Sequence, residues 1–247
     1  MLHPGSLFQK YKDSIVRLNN TEKCSILNKE FELYGSADLH IYYAPHNEYI
    51  NSKAKIIIVG ITPGWTQTQR AYQTAQKYLK MGVSDEEVCF QCKSVSRFAG
   101  TMRKNLISML DELGLQKMVG LPSCVKLFDT GNDLLHTTSL IKYPCFYKEK
   151  NYSGHTPKIS SSVILTEYVE KVFRDELECM DRARLIIPLG SAVEAIFRDI
   201  LDISATSNYE VLWGFPHPSG LNAHRVEQLQ ANRNNMLNIL KRLEMKI

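Results

Sequence analysis

No apolar run in this chain approaches the ~18 residues that a membrane-spanning helix requires. The longest, Ile56 to Ile61, is broken by Gly60. There is no Walker A loop, no G-x-G-x-x-G and no G-x-S-x-G, so nucleoside triphosphate, dinucleotide and serine-hydrolase chemistry lack their fingerprints. The opening residues MLHPGSLFQKYKD hold no apolar stretch, and no secretory signal is expected. Internal repeats and linkers rich in Pro, Gly or Ser are also missing, so a single domain is expected over residues 1–247. Neither sign of charge dominates. Thirty Lys and Arg against 26 Asp and Glu leave a net +4, which permits a polyanionic partner without demanding one. With 44% hydrophobic and 23% charged residues the chain is neither disordered nor collagen-like. Six cysteines without an export signal point to a reducing compartment, free thiols and a cytoplasmic location.

What is there reads as alternating strands and helices. Lys55 to Gly60 (KIIIVG) and Arg184 to Gly190 (RLIIPLG) are β-branched runs ending at glycine, the pattern of strands buried on both faces of a parallel sheet. Further strands are expected at Leu134 to Ile141 and Tyr209 to Trp213. Helical spacing runs through Arg97 to Leu113, Ile164 to Leu177, and from about Ala223 onward. Ser191 and Glu194 spell a capping box opening another helix. The alternation predicts an α/β fold, three αβα layers around a central, mainly parallel, four-stranded sheet. Ligands of such sheets bind beyond the carboxyl ends of the strands, so sites are expected just after Gly60, Ile141, Gly190 and Trp213.

Two of those strand ends carry distinctive residues. Gly60 to Gly64 reads G-I-T-P-G, a tight turn that lets backbone approach a ligand; a plain strand-to-helix turn is the competing reading. Trp213 to Asn222 reads W-G-F-P-H-P-S-G-L-N, with His217 held between two prolines and able to serve as hydrogen-bond donor or general acid. Alone, it reads equally well as a surface-loop histidine.

Taken together, a G-I-x-P-G turn after the first core strand and H-P-S-G-x-N after the last resemble the uracil-DNA glycosylase superfamily. Ser96 to Leu115, His136 to Pro144 (HTTSLIKYP) and Tyr152 to Ile159 (YSGHTPKI) resemble its intervening segments in the same order. The resemblance spans residues 55–243. Residues 1–54 match nothing and stand as an extension of unassigned role.

The resemblance implies an enzyme that flips a nucleotide from duplex DNA and hydrolyses its N-glycosidic bond, leaving an abasic site. DNA is then the partner, with no cofactor, membrane or obligate protein partner expected. His217 matches the donor to the departing base, and Thr62 stands where relatives position the attacking water. Ile61, Trp65, Phe98 and Ser139 match the base-binding positions. Gly64, Lys142, His155, Ser219, Gly220, Leu221, Asn222 and Arg225 match positions that meet the DNA, Leu221 as the wedge pressed into the duplex. For Phe98 a core phenylalanine opening a helix is the alternative.

Three departures stand out. Relatives carry Asn, Asp or a nearby acid where this chain has Thr62, and a hydroxyl cannot act as a base near neutral pH. Asp85, Glu86 or Glu87 could supply that charge instead, or hydrolysis could be altered or lost. The asparagine that reads uracil's pairing edge is replaced by Ser139, with one rotatable hydroxyl and less volume. The tyrosine that blocks the pyrimidine C5 side in some relatives has no counterpart, since Gly64 and Trp65 follow Pro63. Together these point away from ordinary uracil and towards a bulkier pyrimidine, such as a 5-substituted or glycosylated cytosine of phage DNA, and a role in phage defence. Alternatives are a uracil or mismatch repair glycosylase, a DNA-binding member that has lost hydrolysis, and covalent capture of an abasic sugar by His217. Cys89-x-x-Cys92 could begin a metal site, but free thiols are the expectation.

Overall fold

The computed structural model describes residues 1–201 and 209–244. In chain order the strands are β1 (Glu32–Gly35), β2 (Leu39–Tyr42), β3 (Ile56–Gly60), β4 (Leu135–Ser139), β5 (Cys145–Tyr147), β6 (Lys150–Asn151), β7 (Leu185–Pro188) and β8 (Glu210–Val211). They form two sheets. One is the expected four-stranded parallel sheet, in the order β4-β3-β7-β8. Ile56 pairs with Leu185 and Ile58 with Ile187. Every residue of β3 and β7 is buried, which is why both read as unbroken apolar runs. The chain is mixed α/β.

The chain gathers into two compact units, each discontinuous in sequence. The first joins Met1–Ile50, Ile61–Ala99 and Ser139–Cys179, so the N-terminal residues 1–50 lie wholly within it. Its sheet, unannounced by the sequence, is antiparallel in the order β1-β2-β5-β6. Aromatic side chains fill its core. Tyr11 stacks on Tyr43 with centroids 4.3 Å apart, and Phe31 meets Tyr72 edge-on at 5.2 Å. Helices Phe8–Arg17, Trp65–Lys80 and Asp85–Ser96 belong to this unit. The last opens where Ser84 accepts from the Glu87 N–H at 3.3 Å, with Asp85, Glu86 and Glu87 set favourably in the first turn.

The second unit joins Asn51–Gly60, Gly100–Thr138 and Met180–Ile247, and holds the parallel sheet. With it go helices Thr101–Glu112, Ser191–Ile196 and Arg225–Glu244.

Several local expectations need correction. The helix expected from Arg97 starts at Thr101, because Phe98 (φ 44°) and Gly100 (φ 74°) both take left-handed backbone. The run Ile164 to Leu177 is helical throughout but widens into a π-helical stretch at Tyr168–Phe173. The strand expected over Leu134 to Ile141 stops at Ser139, and the Ile141 N–H turns to the Ile61 carbonyl at 2.8 Å. The strand expected at Tyr209 to Trp213 shrinks to Glu210–Val211, since the Trp213 N–H folds back to Val211 O at 2.9 Å ahead of left-handed Gly214. The Ser191–Glu194 capping box does not form. Gly190 caps that helix, Ser191 is its first residue, and the Glu194 carboxylate instead takes the Gly214 N–H at 2.7 Å and pairs with Arg198 at 2.8 Å.

Candidate active site

Ile61 to Gly64 of the G-I-T-P-G turn and the histidine loop lie in different units, and each has its own geometry. In the first unit, Thr62 is a pin rather than a free hydroxyl. Its Oγ1 donates to the Tyr143 carbonyl and accepts from the Cys145 N–H, both at 2.9 Å. A hydroxyl has one hydrogen and two lone pairs, so one acceptor position is left over. It can hold a water but cannot deprotonate one. At the end of the turn, the Gly64 N–H donates to Gln67 Oε1 at 3.0 Å, and the Trp65 N–H donates to Asn151 Oδ1 at 3.1 Å. Trp65 itself, half-buried, is the first residue of its helix.

Phe98 is buried and lies between two helices rather than opening one. A bulky residue with φ of 44° stores strain on the order of 1–3 kcal/mol, which persists only where the surroundings impose it. Ser139, the last residue of β4, is also buried. His155 is exposed on a turn.

Lys142 requires a correction. Expected to contact phosphate, it is 2% exposed, and its ammonium lies 2.9 Å from Oε2 of fully buried Glu48. The charge is spent inside the protein. Oε1 of the same carboxylate accepts from the Tyr143 hydroxyl at 2.7 Å and the Leu7 N–H at 3.2 Å. Next to it, Asn47 donates to the Lys142 carbonyl at 2.9 Å and accepts from Lys93 Nζ at 2.8 Å. Burial brings the Lys93 ammonium down to about 8. His46 is fully enclosed, with neither ring nitrogen hydrogen-bonded, and burial brings it down to about 3.

The carboxylates considered for activating water are engaged elsewhere in this unit. Asp85 pairs with Lys12 at 3.3 Å, Glu86 with the N-terminal ammonium at 3.3 Å, and Glu87 accepts from Gln91 at 2.8 Å. Cys89 and Cys92 sit buried on one helix, where burial pushes both thiols up, and Cys92 Sγ donates to the Ala71 carbonyl at 3.3 Å. All six cysteines are free. Among the described residues no group of three or more His, Cys, Asp and Glu is arranged to hold a metal ion.

In the second unit the histidine loop is locked by its neighbours. Gly190, at the end of β7 with φ of 86°, comes so close to it that a Cβ there would lie 2.9 Å from His217 Cβ. Only glycine fits. Asn105 donates to Pro218 O at 2.9 Å, and Asn222 donates to His217 O at 3.1 Å. The Ser219 N–H points at His217 Nδ1 from 3.3 Å. A backbone amide can only donate, so Nδ1 accepts, and the neutral ring carries its proton on Nε2. Burial lowers the His217 pKa below its ordinary 6.5, favouring this neutral form.

Beyond it, Ser219 to Asn222 close a tight turn. Leu221 N donates to Ser219 Oγ at 3.2 Å and Asn222 N to Ser219 O at 3.1 Å. Exposed Gly220 is part of that turn, and Leu221 at its tip is 96% exposed. Arg225 tethers the turn through Asn222 O at 3.1 Å. A cavity of ≈ 660 Å³ borders His217 within this unit, lined also by Gly190, Glu194, Arg198, Asn222 and Asn232.

Ile61, Thr62, Gly64, Trp65, Phe98, Ser139 and His155 fall in the first unit, and His217, Ser219, Gly220, Leu221, Asn222 and Arg225 in the second. Sequence reasoning missed Tyr143 and Asn151, which bind Thr62 and Trp65, and Asn47 and Glu48, which bind Lys142 and Tyr143. The polar stretch P-H-N-E, set among apolar and aromatic residues in YYAPHNEYI, was the available signal.

The features describe an α/β protein whose chemistry-bearing loops follow the carboxyl ends of parallel strands. The family follows from comparison with known proteins. Residues 48–243 match the model of the Uracil DNA glycosylase superfamily, and the chain belongs to that superfamily. It is also similar to uncharacterized protein YoxB of Bacillus subtilis (strain 168), 43% identical over 211 residues, which cover 85% of this chain and 82% of the relative. Membership suggests DNA binding and DNA N-glycosylase activity. Among the described residues no helix is long and apolar enough to cross a membrane.

Proposed function

We propose that the protein is a monofunctional DNA glycosylase that flips a non-standard pyrimidine nucleotide and hydrolyses its N-glycosidic bond. The observation that carries this is the state of His217, a neutral imidazole with Nδ1 occupied by Ser219 and its Nε2 proton available. Bond cleavage leaves negative charge on the base and positive charge on the sugar. A preorganised donor at the base oxygen stabilises the first of these without reorganising at the moment of reaction. Leu221, exposed at the tip of a braced turn, is suited to fill the gap left by the extruded nucleotide. Phe98 supplies a stacking face, Ile61 and Trp65 border the base, and Gly64 and His155 approach the backbone. Thr62 holds the attacking water through its remaining lone pair. Without a base to sharpen that water, bond cleavage runs ahead of attack.

The reading rests on Ser139 in place of the asparagine that reads the pairing edge, and on the lack of a tyrosine after Pro63 to block the C5 side of the pyrimidine. The substrate we favour is therefore a 5-substituted or glycosylated cytosine, and the role defence against phage carrying such DNA. The test is mass spectrometry of bases released from duplexes containing uracil, 5-hydroxymethylcytosine or its glucosylated form, with His217→Ala as control. Efficient uracil release without action on the bulky bases would overturn the substrate assignment.

A second reading, a DNA-binding member without hydrolysis, is favoured by one observation: the hydroxyl hydrogen of Thr62 is spent on Tyr143 O. Tight binding to these duplexes with no base released from any of them would select it. A protein–DNA adduct surviving denaturation would instead indicate covalent capture by His217.

A further inference from the structure

We propose that Glu48 is the positioning residue for the Thr62 turn, and that the N-terminal segment serves the reaction by delivering it. The inference rests on the reading that Thr62 and Ser139 face the target nucleoside. Lys142 and Tyr143 both send their side chains to the Glu48 carboxylate, at 2.9 and 2.7 Å. Their carbonyls are held as well, Lys142 O by Asn47 at 2.9 Å and Tyr143 O by the Thr62 hydroxyl at 2.9 Å. On either side of this pair, the Ile141 N–H reaches Ile61 O at 2.8 Å and the Cys145 N–H reaches Thr62 Oγ1 at 2.9 Å. The segment that follows Ser139 is thus fastened to the turn on one edge and to Glu48 on the other.

Glu48 is itself fixed from the N-terminus. Its carboxylate takes the Leu7 N–H at 3.2 Å, and its own carbonyl takes the His3 N–H at 2.7 Å. A buried ion pair is weak evidence for stability, because apolar residues of similar volume often serve as well. What a carboxylate with three directed donors provides is orientation. A shift at Glu48 is passed to Tyr143 O, from there to the Thr62 hydroxyl, and so to the water it holds.

The test compares wild type with Tyr143→Phe, Glu48→Gln and the apolar pair Glu48→Leu/Lys142→Met. Amide hydrogen exchange needs no substrate. Exchange at Ile141 and Cys145 should quicken about tenfold in Tyr143→Phe and Glu48→Gln, with Ile57 and Ile186 of the parallel sheet unchanged. Single-turnover base release from the uracil and glucosylated 5-hydroxymethylcytosine duplexes should fall up to about 10²-fold, since small misplacements are that costly. Affinity for a duplex carrying a tetrahydrofuran abasic analogue should hold. The apolar pair should regain melting temperature but not rate.

Unchanged exchange at Ile141 and Cys145, or a rate in the apolar pair that recovers along with melting temperature, would overturn the proposal. If wild type releases no base at all, the glycosylase reading fails, while the exchange result still decides whether Glu48 holds the turn.

Discussion

The Ser219 N–H donates to Nδ1 of His217 at 3.3 Å, and this contact decides which nitrogen of the imidazole carries the proton. It also sets the cost of protonation. An imidazolium would place an N–H against an N–H, and burial already disfavours the charge. His217→Ala should therefore lower single-turnover base release by roughly 10²–10³, the usual loss for one preorganised donor. Because the His217 pKa lies below 6.5, the pH–rate profile should run flat through 6.5 and bend only at lower pH. Nitrogen NMR of the ring, showing the Nε2–H tautomer at pH 7, checks the assignment.

Leu221 should be a residue of function without stability. At 96% exposure it buries almost nothing in the free protein, so Leu221→Ala should leave the melting temperature unchanged. It should slow base release from fully paired duplexes and matter little on single-stranded DNA, where no gap needs filling. Equal slowing on both substrates would argue against a wedge.

Lys142 and Arg225 should separate cleanly. Lys142→Ala leaves Glu48 buried without its cation and should destabilise the protein by about 3–5 kcal/mol. Arg225→Ala should hardly change the melting temperature. If Arg225 meets phosphate, its loss should flatten the plot of log affinity against log salt by about one unit. Urea denaturation and salt-titrated DNA binding measure the two effects.

Acid should weaken the fold through His46. The ring is enclosed and brought down to about 3, against 6.5 when unfolded, so the unfolded chain takes up the proton first. This contribution is complete above pH 6.5 and is lost progressively as pH falls towards 3. Between pH 7.5 and 5 it amounts to about 2 kcal/mol. His46→Phe should flatten that part of the stability curve in urea titrations; an unchanged pH dependence would show that the ring is hydrated.

Thr62→Val should destabilise by about 1–3 kcal/mol, because the Tyr143 carbonyl and the Cys145 amide would both lose their partner. Thr62→Ser should keep stability and most of the rate. A rate loss in Thr62→Ser as large as in Thr62→Val would argue against the hydroxyl holding the water.

The parallel sheet was legible because β3 and β7 are buried on both faces and show it as unbroken apolar runs closed by glycine. The histidine loop, alone no more telling than a surface loop, was legible only beside the G-I-T-P-G turn, through the family resemblance. The antiparallel sheet was not, since β5 and β6 have only three and two residues and β1 is half-buried, too little for periodicity to register. Lys142 misled because a lone lysine usually belongs to the surface, and the carboxylate that buries it lies 94 positions away. Ser191–Glu194 misled for a related reason. The local pattern was sound, but the Gly214 amide, 20 positions on, takes the carboxylate.

Gly190 has a consequence of its own. With hydrogen in place of a side chain just past β7, the backbone and Cβ of His217 can pack close against Gly190, and this contact sets where the imidazole starts. A side chain at Gly190 would press on His217 and also sit at a strained φ of 86°, so the histidine loop's position and the local fold would be lost together.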